Sequence, residues 1–268
     1  MAKYNIGSIV ARKSYGQDIY FIVSDIRDSN GQKPVYTLRG LSYRVIADAH
    51  GDDLVEKDRN RAMEGLQRQV MRAKNVSRGV AYGRLFPWVR RRPGRIVHID
   101  SSEQFLNICR NYYRAAGLNV KGYFADESRQ PNIIGRVLAE DKPDILVITG
   151  HDGIKKDSGD LYSIGNYRNS GYFVECVKRA RSYQADNGKL CIFAGACQSY
   201  FEAIMDAGAN FASSPGRINI NALDPAIVSK RVALTNANSY VTPQQIARIT
   251  VSGGKGIGGI NTRGHLMV

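Results

Sequence analysis

A chain of 268 residues exceeds the usual ~100 to 200 residues of a single domain, so one large or two unequal domains with a sizeable core are expected. Its 43% hydrophobic and 23% charged residues exclude disorder. No apolar run approaches the ~18 residues of a membrane span, and the start, MAKYNIGSIVARKSYG, lacks the apolar stretch of a secretory signal, which predicts a soluble protein of the cell interior.

The formal charge of +14 is unevenly spread. Residues 57–95 carry twelve Lys or Arg against Asp58 and Glu64, a net +10, so the basic character belongs to a connector.

Residues 4–56 hold short β-type runs, SIVARKS, DIYFIVSDI, PVYTLRG and YRVIADA, separated by turn signals such as Tyr15-Gly16 and Ser29-Asn30-Gly31. This pattern predicts a small SH3-like β-barrel over residues 1–56. In residues 57–75, Ala62, Leu66, Gln69, Val70 and Ala73 fall near one face among charges, which predicts an exposed amphipathic helix. Residues 76–95 mix Gly79, Gly83, Pro87, Pro93 and Gly94 with Trp88 and arginines, as a loop does, so residues 57–93 are read as a basic helical bridge and linker.

From residue 94 to the end the rhythm is strand, helix, strand, the sign of an α/β domain with a doubly wound parallel sheet and helices on both faces. Strands are expected at RIVHI, NVKGYF, DILVITG, KLCIFAG and NFASSP. Helices are expected at SSEQFLNICRNYYRAAG, QPNIIGRVLAED, SGYFVECVKRARSYQA, QSYFEAIMDAG, around DPAIVSKRV and from Thr242. The glycine-rich tail SGGKGIGGINTRG has no preceding strand and no GK[ST], so it reads as a flexible tail rather than a phosphate loop.

The four cysteines, Cys109, Cys176, Cys191 and Cys197, form no CxxC pair and no regular spacing, so neither zinc nor a disulfide framework is indicated, and no metal or cofactor is expected. The first three lie in helical or apolar runs as small core residues. Cys197 instead follows the end of KLCIFAG, and His151 follows the end of DILVITG, 46 residues earlier.

Open parallel sheets bind ligands beyond the carboxyl ends of their strands. If these two strands are neighbours, the thiol and imidazole share one crevice as nucleophile and general base. A helix starting near Ser199 would favour the thiolate, and the backbone N–H groups of Cys197 and of Gly153 or Asp152 would receive an oxyanion. Taken singly, a cysteine after a strand is usually packed and a loop histidine usually exposed; the pairing at equivalent strand ends favours chemistry. His50, His98 and His265 have no such setting. Asp152 reads equally as an orienting group or an exposed loop carboxylate.

An apolar strand ending in a His-Gly type turn, followed by an apolar strand ending in Ala-Cys, resembles the caspase, legumain, gingipain and clostripain clan of cysteine peptidases. The strings TGHDG and FAGACQS behind the start IGSIVARKSYGQDIYFIV are similar to the YabG sporulation-specific peptidases of spore-forming Firmicutes, essentially over the whole chain. The resemblance implies a caspase-like fold, His151 and Cys197 as a dyad, and proteolysis of spore coat and cortex-associated proteins, in the mother cell and at the coat. Asp152 separates His151 from Gly153 where the clan has His-Gly, which leaves the second oxyanion donor open.

The clan members clostripain and gingipain cut after basic residues. Asp100 and Asp126, at the ends of the first two strands, are therefore candidate pocket carboxylates for Arg or Lys, with Asp100 favoured and capping of the following helix as its plainer role. Such a peptidase would find its best internal substrate within Arg84 to Arg95, at Arg90, Arg91, Arg92 or Arg95, against the plainer and favoured reading that these arginines only cover a surface or attract acidic coat proteins. The alternative is a nucleic-acid-binding protein that uses the β module and basic bridge, with a non-catalytic α/β scaffold. An amidotransferase-like elbow would need its histidine after the cysteine, where only His265 stands.

Overall fold

The computed structural model describes residues 3–27, 33–78, 92–156 and 158–267. Five antiparallel strands come first: β1 (Ile9–Arg12), β2 (Tyr20–Arg27), β3 (Val35–Gly40), β4 (Ile46–His50) and β5 (Leu54–Glu56), in the order β4-β3-β2-β1-β5. β4 and β5 are opposite edges, yet only Gly51–Asp53 separates them. Four residue steps reach at most ~14 Å, whereas four flat strand spacings are about 19 Å, so the sheet must curl. Helix α1 (Arg59–Arg78) follows and buries Ala62, Leu66 and Ala73, the apolar stripe read from its sequence. Residues 79–91, with Arg84, Trp88, Arg90 and Arg91, lie outside the described residues.

The second half alternates β6 (Ile96–Asp100), α2 (Glu103–Ala115), β7 (Val120–Phe124), α3 (Gln130–Asp141), β8 (Ile145–Thr149), α4 (Ser170–Tyr183), β9 (Cys191–Ala194), α5 (Phe201–Asp206), β10 (Phe211–Ser213) and α6 (Asp224–Ala233). After these come β11 (Tyr240–Val241), α7 (Pro243–Ile249), α8 (Gly253–Gly256), β12 (Ile257–Gly259) and β13 (Thr262–Arg263). The sheet order is β12-β10-β9-β8-β6-β7, parallel except for β12, so the sheet is mixed rather than purely parallel.

Side chains of a strand alternate between faces, and both faces here are covered. Ile145 and Val147 of β8 pack with Tyr113, Ile227, Val232 and Ile246 of α2, α6 and α7. Leu146 and Ile148 pack with Ile134, Leu138, Phe173 and Val177 of α3 and α4 on the other face. The first of these clusters runs on without a break into Val10, Phe21, Leu38, Val45 and Leu54 of the curled sheet.

The glycine-rich tail corrects its sequence reading, because it is an ordered edge of the sheet. A side chain at Gly258 would lie 2.6 Å from the Phe201 ring, and one at Gly259 would lie 2.5 Å from the Asn210 carbonyl. Glycine there permits close packing against β10.

Candidate active site

β8 and β9 are hydrogen-bonded neighbours, with Ile148 opposite Ala194, so the residues that follow them meet at one edge of the sheet. Cys197 is fully buried past the turn at Gly195, whose φ of 109° suits glycine. Its Sγ accepts the Ile220 N–H at 3.2 Å. Burial pushes the thiol up from 9.0 to about 12, against the opposing pull of that N–H and of the Arg44 charge. Helix α5 begins only at Phe201 and has six residues, so the expected thiolate-stabilising helix start does not sit on Cys197. Ser199 Oγ takes the Ala196 N–H at 2.9 Å, and Gln198 is left-handed at φ 55°, which makes residues 196–199 a turn.

His151 is also buried, its ring 5.7 Å from that of Phe105. Nδ1 lies 3.4 Å from Ser101 Oγ and 3.7 Å from Glu127 Oε1, and its backbone N–H donates to the same Oε1 at 2.7 Å. Arg39, from β3, donates to Glu127 Oε2 at 3.3 Å. Burial raises the Glu127 carboxyl, but His151, Arg39 and Ser101 outweigh it and hold the group down at about 2. Glu127 is the site residue that the sequence reading missed, by one position from Asp126. Asp126 itself is exposed at the end of the outermost strand β7, two strands from β8, and so is corrected as a pocket residue.

Asp152 is fully buried rather than an exposed loop carboxylate. It receives the N–H groups of Gly153 and Asn169 at 2.8 Å each and the hydroxyls of Ser170 and Ser199 at 2.5 and 2.9 Å, tying the His151 loop to the Cys197 loop. Gly153 is thereby withdrawn as an oxyanion donor. The N–H groups that converge are those of Cys197 and Asp152, both 3.1 Å from the Arg44 carbonyl oxygen.

Asp100 ends β6 beside Thr149 of β8 and is fully buried. Its Oδ1 takes the Ser102 N–H at 2.9 Å, but the cap of α2 is Ser102, whose Oγ takes the Phe105 N–H, so the expected capping role of Asp100 is corrected. Oδ2 takes Thr149 Oγ1 at 3.0 Å and Arg44 Nη1 at 2.5 Å. His98 Nε2 stands 3.5 Å from the same oxygen. The Arg44 charge holds Asp100 ionised despite its burial.

The sequence matches the YabG peptidase U57 family over residues 5–268. The chain belongs to the YabG peptidase family. It is 37% identical to the sporulation-specific protease YabG of Bacillus subtilis (strain 168), over 99% of this chain and 97% of that protein. No solved structure matches. Family membership makes the chain a peptidase, and the nucleic-acid reading gains no support from these relatives.

The remaining sites of this YabG-family chain are two described arginines of the basic connector. Arg92 exchanges backbone hydrogen bonds with Met267 at 3.0 Å, and Arg95 pairs with Asp144. Among the described residues there is no group of three or more His, Cys, Asp or Glu side chains placed to hold a metal ion, and no helix is long and apolar enough to cross a membrane.

Proposed function

We propose that the chain is a sporulation cysteine endopeptidase that cuts after Arg or Lys, with Cys197 as nucleophile and His151 as general base. The observation that carries this reading is the pairing of β8 with β9, which brings both residues to one sheet edge beside two converging backbone N–H donors. In the reaction His151 takes the thiol proton, and the thiolate of Cys197 attacks the scissile carbonyl. The N–H groups of Cys197 and Asp152 receive the oxyanion. His151 returns the proton to the departing amine, and water then hydrolyses the thioester. Asp100 faces the guanidinium or ammonium of the residue before the cut.

The sheet order, with its antiparallel last strand, supports a caspase-like peptidase domain over residues 94–268, and the curled first sheet supports an SH3-like module over residues 1–56. The name of the Bacillus relative supports a role in sporulation, which extends to spore coat and cortex-associated proteins as substrates and to the mother cell and coat as the place of action. Self-cleavage in the basic connector falls before Arg92, since Arg92 and Arg95 are docked. A peptide pool incubated with wild type, Cys197→Ala and His151→Ala tests the assignment. Both variants should lose at least ~10²-fold in turnover, and near-wild-type hydrolysis by either removes the dyad.

A further inference from the structure

Residues 40–46 leave the curled sheet between β3 and β4, pass through the cleft and return. The Gly40 N–H takes the Val45 carbonyl at 2.8 Å and closes the neck of this loop. A Cβ at Gly40 would stand 2.5 Å from the Tyr43 carbonyl oxygen, so the neck requires glycine. Tyr43 bridges antiparallel to Asn221, and Val45 bridges parallel to Asp152, with the Ile46 N–H donating to Asp152 O at 2.9 Å. Between these two bridges the Arg44 carbonyl oxygen receives the N–H groups of Cys197 and Asp152. Its guanidinium enters the pocket closed by Asp100, with Nη2 3.3 Å from Ala222 O and 3.7 Å from Cys109 Sγ, and lies 4.7 Å from the centre of the Phe105 ring.

Two groups of one residue thus fall on the two features that an arginine-directed peptidase presents to a substrate. An ion pair that served stability alone would use the side chain and leave the carbonyl elsewhere. We propose that the 40–46 loop is an intramolecular inhibitor lying in substrate register, with Arg44 in the place of the residue before the scissile bond and Val45 in that of the residue after. The folded chain is latent until the loop is withdrawn. This rests on the Cys197–His151 reading and extends it.

The loop covers the thiol. Arg44 and Cys197 are both 0% exposed, so no external peptide reaches the thiol while the loop is in place. His151 lines a cavity of about 150 Å³ that Ile9 and Ile22 of the curled sheet, Leu41 of the loop itself and Met63 of α1 help to enclose. Pairing on both sides of Arg44 would also hold the two ends together after a cut, which makes the loop a poor substrate and a good plug.

The test uses the full chain and a peptidyl-arginine fluoromethyl ketone, which alkylates the nucleophilic thiol once its arginine is seated. Wild type should label slowly, and Arg44→Ala at least about tenfold faster, because removing the competing occupant raises the binding-competent fraction. Equal rates at Cys197 in the two proteins overturn the plug and leave the dyad standing. Labelling elsewhere that persists in Cys197→Ala overturns the dyad instead.

Where Arg44→Ala does not fold, wild type decides by hydrogen exchange. Alkylation of Cys197 should speed exchange at the amides of Gly40 and Ile46, whose bonds hold the loop. Amides that stay protected in the alkylated protein mean that the pocket fills without displacing Arg44, and the proposal is lost.

Discussion

A single oxygen of Glu127 holds both the main chain and the ring of His151: Oε1 accepts the backbone N–H at 2.7 Å and lies 3.7 Å from Nδ1. An imidazole fixed in this way keeps Nε2 free for the role of base proposed above. The other oxygen of Glu127 is held by Arg39 of the curled sheet, so the orientation of the His151 ring depends on a residue outside the α/β half.

Glu127→Gln should therefore lower kcat by about 10²-fold with little change in KM, the lower end of what positioned acid–base assistance contributes. The substituted amide keeps the shape but sets a neutral group, or an N–H, against donors that now meet a carboxylate. A rise in KM with kcat preserved would move Glu127 from positioning the base to binding substrate.

The same carboxylate sets a pH dependence of stability. Burial disfavours its charge, but His151, Arg39 and Ser101 win and depress the folded value from 4.5 to about 2. A depressed folded value means that the unfolded chain takes up the proton first. The stabilisation is therefore complete above pH ~4.5 and is lost as pH falls toward ~2, amounting to roughly 3 kcal/mol. Urea unfolding across this window should fall more steeply for wild type than for Glu127→Gln, and parallel curves would rule the linkage out.

Breaking the buried Arg44–Asp100 pair from either side should cost about 3–5 kcal/mol, since each single change strands a charge in the core. Arg44→Met combined with Asp100→Leu should recover most of that loss. In folded protein, Asp100→Ala should also lose its preference for arginine substrates. If it cleaves them as well as wild type does, the pocket assignment is wrong.

The strands that lead to the proposed dyad were legible because ILVIT and CIFA are largely continuous apolar runs, as strands buried on both faces must be. Arg44 was not legible. YRVIADA alternates like one strand, and nothing local says that β4 waits until Ile46; the break is imposed by Asp152, more than a hundred residues away. Glu127 was hidden beside an equivalent carboxylate, because only the turn after β7 decides that Asp126 faces solvent and Glu127 faces His151. The tail misled for a related reason. Clustered glycines signal freedom in an isolated chain, whereas here they admit the rings of Phe201 and Phe211.

Cys197 offers a direct readout of loop withdrawal. In the closed chain burial lifts its thiol to about 12, well above the ~8.5 of a free cysteine. Removing Arg44 has two opposed effects, since the loss of a nearby positive charge raises the thiol pKa while solvent entry lowers it. Burial is the larger of the two influences, so the net shift in Arg44→Ala should be downward, with a larger thiolate fraction at any given pH. Alkylation of Cys197 by iodoacetamide, followed by peptide mapping, should rise without a plateau from pH 7 to 10 in wild type and level off below pH 10 in Arg44→Ala. Cys176 and Cys191 are buried free thiols without contact to Arg44 and serve as internal controls whose slow labelling should not change between the two proteins. A Cys197 profile that is unchanged, or displaced upward, would mean that the loop is not what keeps the thiol protonated.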